Sequence, residues 1–262
     1  MFYLPRHREN VPGTFDLRAV PAACVGSTGR ELMMGGVTFG AALDALEQAT
    51  GRETLWGTCQ FIAPAFAGRD FVIETEELVQ GRNLSQAAAR VRDEETTVIE
   101  VRAALGARPE AASMPFARMP DVAKPEDCEP KPVGDDASPG NLFSQFERRL
   151  AQESDAEGRE CLWFRAVDDP PLSTALLAIY ADHMPGAVRL TRGSTSLDCT
   201  LRFASLRPSR WVLAETRMEA VGPRLFHSSM NLFAEDGTLL AVASETGVLP
   251  RASRNELQEK TP

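Results

Sequence analysis

Near the end of the chain, Val242-Ala243-Ser244-Glu245-Thr246-Gly247-Val248 reads as an apolar strand with a single carboxylate set into it. Such an acid either sits at the exposed end of its strand, where it needs no special explanation, or faces a pocket and moves protons. Strand alternation puts Glu245 on a face with Leu239, Ala241, Ala243 and Gly247, and these mostly small neighbours leave room for a ligand. A second acid is followed directly by an imidazole, in Asp182-His183, which suggests a dyad. Adjacent helical residues point in different directions, however, and that favours a surface position for His183. His7 and His227 lack metal-ligand spacing to acids or cysteines. The five cysteines, Cys24, Cys59, Cys128, Cys161 and Cys199, are odd in number, scattered and never in a C-x-x-C pair, so they predict reduced core residues rather than disulfides or zinc. No Gly-rich phosphate loop is present. Neither a metal nor an organic cofactor is expected.

These residues must be positioned by a chain of 262 residues, 43% apolar and 25% charged, a composition typical of soluble globular proteins. A formal charge of -9 argues against broad binding to nucleic acid or to an acidic membrane face and favours a small-molecule ligand. No run of 18 or more apolar residues is present, and the basic residues of MFYLPRHREN have no apolar run behind them, so a cytoplasmic protein is expected.

The stretch 107–140 is rich in Pro, Asp, Glu and Ala without a sustained apolar period and reads as a linker between residues 1–106 and 141–250, with a polar tail at 251–262. In the first portion, Gly35 to Gly51 carries apolar residues around most of a helix surface, which calls for burial on nearly all sides, and Gly51 supplies a left-handed stop. Strand-like runs follow: LWGTCQFIAP, RDFVIETEELV, LSQAAARVR and TTVIEVRAAL. The second portion repeats the order, with a helix over Leu172 to Met184 and strands in TSLDCTLRFAS, RWVLAETRMEAV, LFHSSMNLFA and TLLAVASETGVL. Advancing Arg69, Glu74, Thr75, Gly81, Leu84, Val101 and Gly106 by 141 gives Arg210, Glu215, Thr216, Gly222, Leu225, Val242 and Gly247, identical in every case. An internal duplication of an α+β unit follows.

A Gly-Gly pair opening a fully apolar helix, a strand ending in Phe61-Ile62-Ala63-Pro64, and the closing run Asp236 to Val248 together resemble the double-hotdog acyl-CoA thioesterases, the thioesterase II-like group. The resemblance implies an α+β tandem hotdog, two antiparallel sheets each wrapped around a long central helix. It implies hydrolysis of fatty or related acyl-CoA by direct attack of water, in lipid metabolism, with acyl-CoA as partner; a homo-oligomer is compatible with it. The family's hydrolytic Asp, its Ser or Thr and its Gln fall on Asp182, Ser196 and Glu245, the last a departure from the amide. Gly36, at the first helix's start, falls where the oxyanion donor would sit. A non-catalytic acyl-CoA-binding or scaffold protein that lost turnover through Glu245 is the rival.

Each position also has a plain reading. Asp182 lies at the carboxyl end of its helix, where the dipole disfavours an acid but solvent would accept it. By the period of two, Ser196 shares a solvated face with Asp198, Thr200 and Arg202. Arg90, Arg92, Arg202, Arg207 and Arg210 are candidates for the phosphates of coenzyme A. The Met184-Pro185-Gly186-Ala187 run lacks the His that related hotdog hydratases place after their Asp.

Overall fold

The computed structural model describes residues 1–107, 116–133 and 137–259. Its long strands are β1 (Thr14–Arg18), β2 (Glu53–Phe61), β3 (Asp70–Gln80), β4 (Leu84–Arg92), β5 (Thr97–Gly106), β6 (Phe146–Ser154), β7 (Arg159–Ala166), β8 (Thr195–Phe203), β9 (Val212–Val221), β10 (Leu225–Ala234) and β11 (Leu239–Val248). The α-helices among these residues are α1 (Gly35–Thr50), α2 (Thr174–Ala181) and α3 (Arg251–Glu259). With the short strands Arg6–His7 and Glu129–Pro130 at its two edges, the antiparallel sheet has 13 strands. Between those edges the order is β1, β3, β4, β5, β2, β8, β11, β10, β9, β7 and β6.

The arrangement is a tandem hotdog of α+β class whose two sheets merge into one. The seam is β2 against β8, with Cys59 opposite Cys199 and Thr58 opposite Thr200. Advanced by 141, the ranges of β2, β3, β4 and β5 fall on β8, β9, β10 and β11 to within one residue at each end. Antiparallel pairing across the seam satisfies two edges that would otherwise be bare.

Helices α1 and α2 lie inside the curl of the sheet. In α1, Gly36 to Leu46 are buried except Asp44, and all eight residues of α2 are buried. That is why neither helix shows a polar stripe. Gly51 ends α1 at φ 66°, as the left-handed stop requires. Ser173 caps α2 by accepting from the N–H of Leu176. With 8 residues, α2 is half the length of α1. The helices run antiparallel at very close range: a Cβ on Gly40 would lie 2.6 Å from the carbonyl oxygen of Ala175, and one on Gly36 would lie 2.8 Å from that of Ala178. Two glycines four apart therefore let one backbone rest on the other.

Part of the stretch expected as linker is packed. Ala117, Met119, Val122 and the buried Cys128 lie against Cys161, Trp163, Trp211, Leu213 and Phe233 on the outer face of the C-terminal half, and the Trp163 indole donates to the carbonyl of Ala123. The strap covers β7 on the side away from α2, which explains the unbroken buried run Cys161-Leu162-Trp163-Phe164. Residues 108–115 and 134–136 of the expected linker, and 260–262 of the expected tail, lie outside the described residues. The rest of that tail is α3, joined to the body by a bidentate pair between Arg189 and Glu256.

The helix contact gives the first prediction. A Gly40→Ala change gains helix propensity but drives a methyl into the backbone of Ala175, so thermal unfolding should show a net loss of about 1–2 kcal/mol. A raised Tm would show that the helices have room to spare.

Candidate active site

Asp182 follows the last residue of α2, and its position makes sense only across the two halves. The amino terminus of α1 has no capping side chain: Met34, its N-cap, offers none. The first turn of any helix presents unpaired N–H groups and a partial positive charge. The Asp182 carboxylate supplies what is missing, accepting from the N–H of Gly36 at 2.6 Å. The end of one helix thus caps the start of the other. The unfavourable dipole of α2 is offset by the favourable one of α1, and Asp182 is 8% exposed rather than solvated.

The second acid is as deeply placed. Glu245, in β11, is 2% exposed and accepts from the Ser196 hydroxyl at 2.5 Å through Oε1, while Oε2 is buried without a partner. Ser196 reaches it because β8 is bulged: pairing to β11 passes from Ser196–Gly247 to Asp198–Thr246, leaving Leu197 extra. A bulge breaks the period of two. It carries Ser196 to the inner face with Cys199 and away from Asp198, Thr200 and Arg202, the solvated face that strict alternation expects. Glu245 keeps Ala241, Ala243 and Gly247 as buried neighbours, whereas Leu239 packs against the outer cluster because β10 and β11 shift register there.

Both acids are held in their neutral forms to unusually high pH. Burial is the larger cause for Asp182, opposed by the Gly36 N–H, and raises it to about 7. For Glu245, burial comes first, then the Asp182 charge, with the Ser196 hydroxyl opposing and Asp198 adding a smaller push; the result lies well above the usual carboxylate range. The two titrate as a pair.

The other candidates fare differently. Gly36 lies at the site, but its N–H is engaged by Asp182. His183, expected on the surface, is buried: its Nδ1 bonds the carbonyl oxygen of Ile179 at 3.0 Å, and its ring meets Phe164 edge-on at 4.7 Å. An apolar surround closes over it because Phe143, Phe146 and Phe164 all converge there. Burial, with Arg148 and Lys131 adding positive charge, keeps it neutral with a pKa near 3. Arg90 pairs with Glu100, Arg92 with Glu74, Arg207 with Asp236 and Arg210 with Asp169. Arg207 and Arg210 line a cleft of about 480 Å³ beside Leu172, at the far end of α2 from Asp182. Cys59 and Cys199 are free and buried, as expected of core residues, but the sequence does not show their place beside the acids, whose charges add to burial in holding both thiols well above their ordinary pKa. Among the described residues no group of His, Cys, Asp and Glu could hold a metal ion, and no helix is long and apolar enough to cross a membrane.

Comparison with known proteins accounts for the two halves. Residues 26–106 match the profile of the acyl-CoA thioesterase N-terminal domain, and residues 125–249 that of the C-terminal domain. The chain belongs to the acyl-CoA thioesterase family. Among solved structures, a protein from Novosphingobium aromaticivorans described as a candidate thioesterase is 26% identical, with a TM-score of 0.87, over 95% of this chain and 100% of its own. A hotdog-fold protein of unknown function from Alicyclobacillus acidocaldarius is 22% identical at a TM-score of 0.82, covering 95% of this chain and 96% of its own. The acyl-CoA thioesterase II TesB2 of Mycobacterium marinum is 16% identical at 0.73, over 96% of this chain and 98% of its own. Dehydratase domains share the fold at lower similarity, one from a mycocerosic acid synthase-like protein at a TM-score of 0.60. No curated protein sequence matches.

The raised acids have a consequence for the stability of this family member. As pH rises past about 4 the unfolded chain releases both protons, whereas the folded protein keeps them to neutrality and above. Their contribution to stability is therefore full in acid and is lost as pH climbs through about 7, the value for Asp182, and beyond for Glu245. Glu245→Gln should flatten that loss and stabilise the protein at alkaline pH by about 1.4 kcal/mol for each pH unit of displaced titration. Denaturant unfolding at about pH 5 and about pH 8 measures it; a variant that loses stability equally at both pH values contradicts the raised titration of Glu245.

Proposed function

We propose that the protein hydrolyses the thioesters of fatty or related acyl-CoA by direct attack of water, without metal or organic cofactor. The observation that carries this reading is the buried Asp182 at the amino terminus of α1, with the buried Glu245 and its Ser196 hydroxyl close enough to feel its charge. Ionised Asp182 takes a proton from water as its oxygen attacks the carbonyl carbon. The carbon–sulfur bond then breaks, and the same proton passes to the departing thiolate. Gly36 holds the Asp182 carboxylate in line, and the dipole of α1 favours the negative charge that develops at the carbonyl oxygen.

Glu245 stands where the family resemblance places an amide. An ionised carboxylate only accepts hydrogen bonds, so it could not replace that group. A neutral carboxyl can both accept and donate. With Oε1 accepting from Ser196 and Oε2 free, protonated Glu245 presents the same pairing as Gln and can hold the water beside Asp182. Burial and the Asp182 charge keep it protonated. A carboxylic acid maintained neutral by an apolar site is a known donor in catalysis.

Release of free thiol from a panel of acyl-CoAs tests the reading. Asp182→Asn should lower kcat/KM by about 10²–10⁴-fold. Glu245→Gln should keep turnover within about tenfold of the native chain and leave the acid limb of the pH profile, set by Asp182, in place, because a neutral carboxyl and an amide present the same charge to it. A native chain silent on every acyl-CoA, with activity restored by Glu245→Gln, would mean a binding or scaffold protein instead.

A further inference from the structure

The two acids are almost wholly enclosed, so a thioester can reach Asp182 only if some side chain moves. Three aromatic or thioether groups wall the site. Phe226 lies against Gly247, and Met184 lies beside Ser228, the partner of Glu245 on β10; both are completely buried and wedged in the core. Phe61 differs. It is the last residue of β2, only half-buried, and its ring lies against the start of α1. A Cβ on Gly35 would meet Cε1 and Cζ of that ring at 2.6 and 2.9 Å and Oδ2 of Asp182 at 3.2 Å. Ring and carboxylate therefore face one another across a glycine that has no side chain to separate them. Outside the ring the surface is apolar: Ile62 is 49% exposed, and the bulged Leu197, next to the Asp198 that pairs with Gln60, is 38% exposed.

We infer that Phe61 is the gate of this site and a determinant of its specificity. Its ring closes the route to Asp182, and the acyl group next to the thioester must fit beside it when it swings towards Ile62 and Leu197. Of the three walls it alone has an outer side to move into. The absence of a side chain at Gly35 lets the ring seat fully when the site is shut. Gating does not depend on the chemistry proposed above, whereas the role in specificity rests on it.

Cys59 and Cys199 report on the gate, because both are buried beside the acids and face each other across the seam. Alkylation of the full chain by iodoacetamide, mapped by peptide mass, should label these two thiols slowly in the native protein and in Phe61→Leu. In Phe61→Ala the rate should rise by at least about tenfold, the signature of a local opening made easier. Cys161, buried in the outer cluster, should keep its native rate in every variant and so distinguishes opening of the gate from general unfolding. Unchanged labelling of Cys59 and Cys199 in Phe61→Ala overturns the gate, and so does an equal acceleration at Cys161. In the same variant, kcat/KM for α-branched relative to straight-chain acyl-CoA should rise; an unchanged ratio in an active enzyme overturns the role in specificity. Faster labelling with no thiol release from any acyl-CoA leaves the gate standing and removes the thioesterase reading alone.

Discussion

The hydrogen bond from the Gly36 N–H to Asp182 is the contact on which the rest of the structure turns. It joins the start of the first helix to the end of the second, and so it exists only if both halves fold and close on one another. A helix amino terminus buried without a cap would leave N–H groups unpaired, at a cost of a few kcal/mol. Asp182 meets that need from the other repeat. Glycines at 36 and 40 make the reach short enough, since a methyl at either would collide with the backbone of α2. The merged sheet holds the same registration from outside, through the β2–β8 seam. Packing, capping and the site are one arrangement.

The same burial sets the chemistry. Two carboxyl groups in a water-poor pocket cannot both ionise at modest cost, so their titrations are pushed upward together. In the mechanism we propose, that separates their roles: Asp182 is the base, and Glu245 remains a neutral donor and acceptor held by Ser196. A substitution of acid for amide, which would be disruptive at a wet surface, is accommodated by an environment that keeps the acid uncharged. The ring of Phe61 belongs to that environment, since it keeps the outside of the pocket apolar.

Much of the fold was legible in the sequence because duplication makes each half check the other. The strands from Leu84 to Arg92 and from Leu225 to Ala234 are read with their boundaries intact, and Gly51 marks the end of α1. Strands β6 and β7 escaped. FERRLAQES is charged and lies near a sheet edge, and RECLWFRA shows no alternation because the strap over its outer face buries successive residues. The site residues were reached through family resemblance, and their plain readings failed for physical reasons. The dipole of its own helix disfavours Asp182, while the dipole that matters belongs to α1. A period of two puts Ser196 on the solvated face, and the bulge at Leu197 interrupts that period. The neighbouring Asp182 alone points His183 to the surface, whereas three aromatic rings distant in sequence enclose it. Capping between helices, a bulge and a converging aromatic cage are long-range facts, and no local pattern encodes them.

The central claim is that Glu245 is a neutral carboxylic acid in the working protein. Infrared difference spectroscopy of the carboxyl C=O stretch at neutral pH, comparing the native chain with Glu245→Gln, tests it most directly. A protonated-carboxyl band present in the native protein and lost in the variant is the predicted result. A native spectrum with only ionised carboxylates at neutral pH would contradict it, since an ionised Glu245 could not donate and could not stand in for an amide.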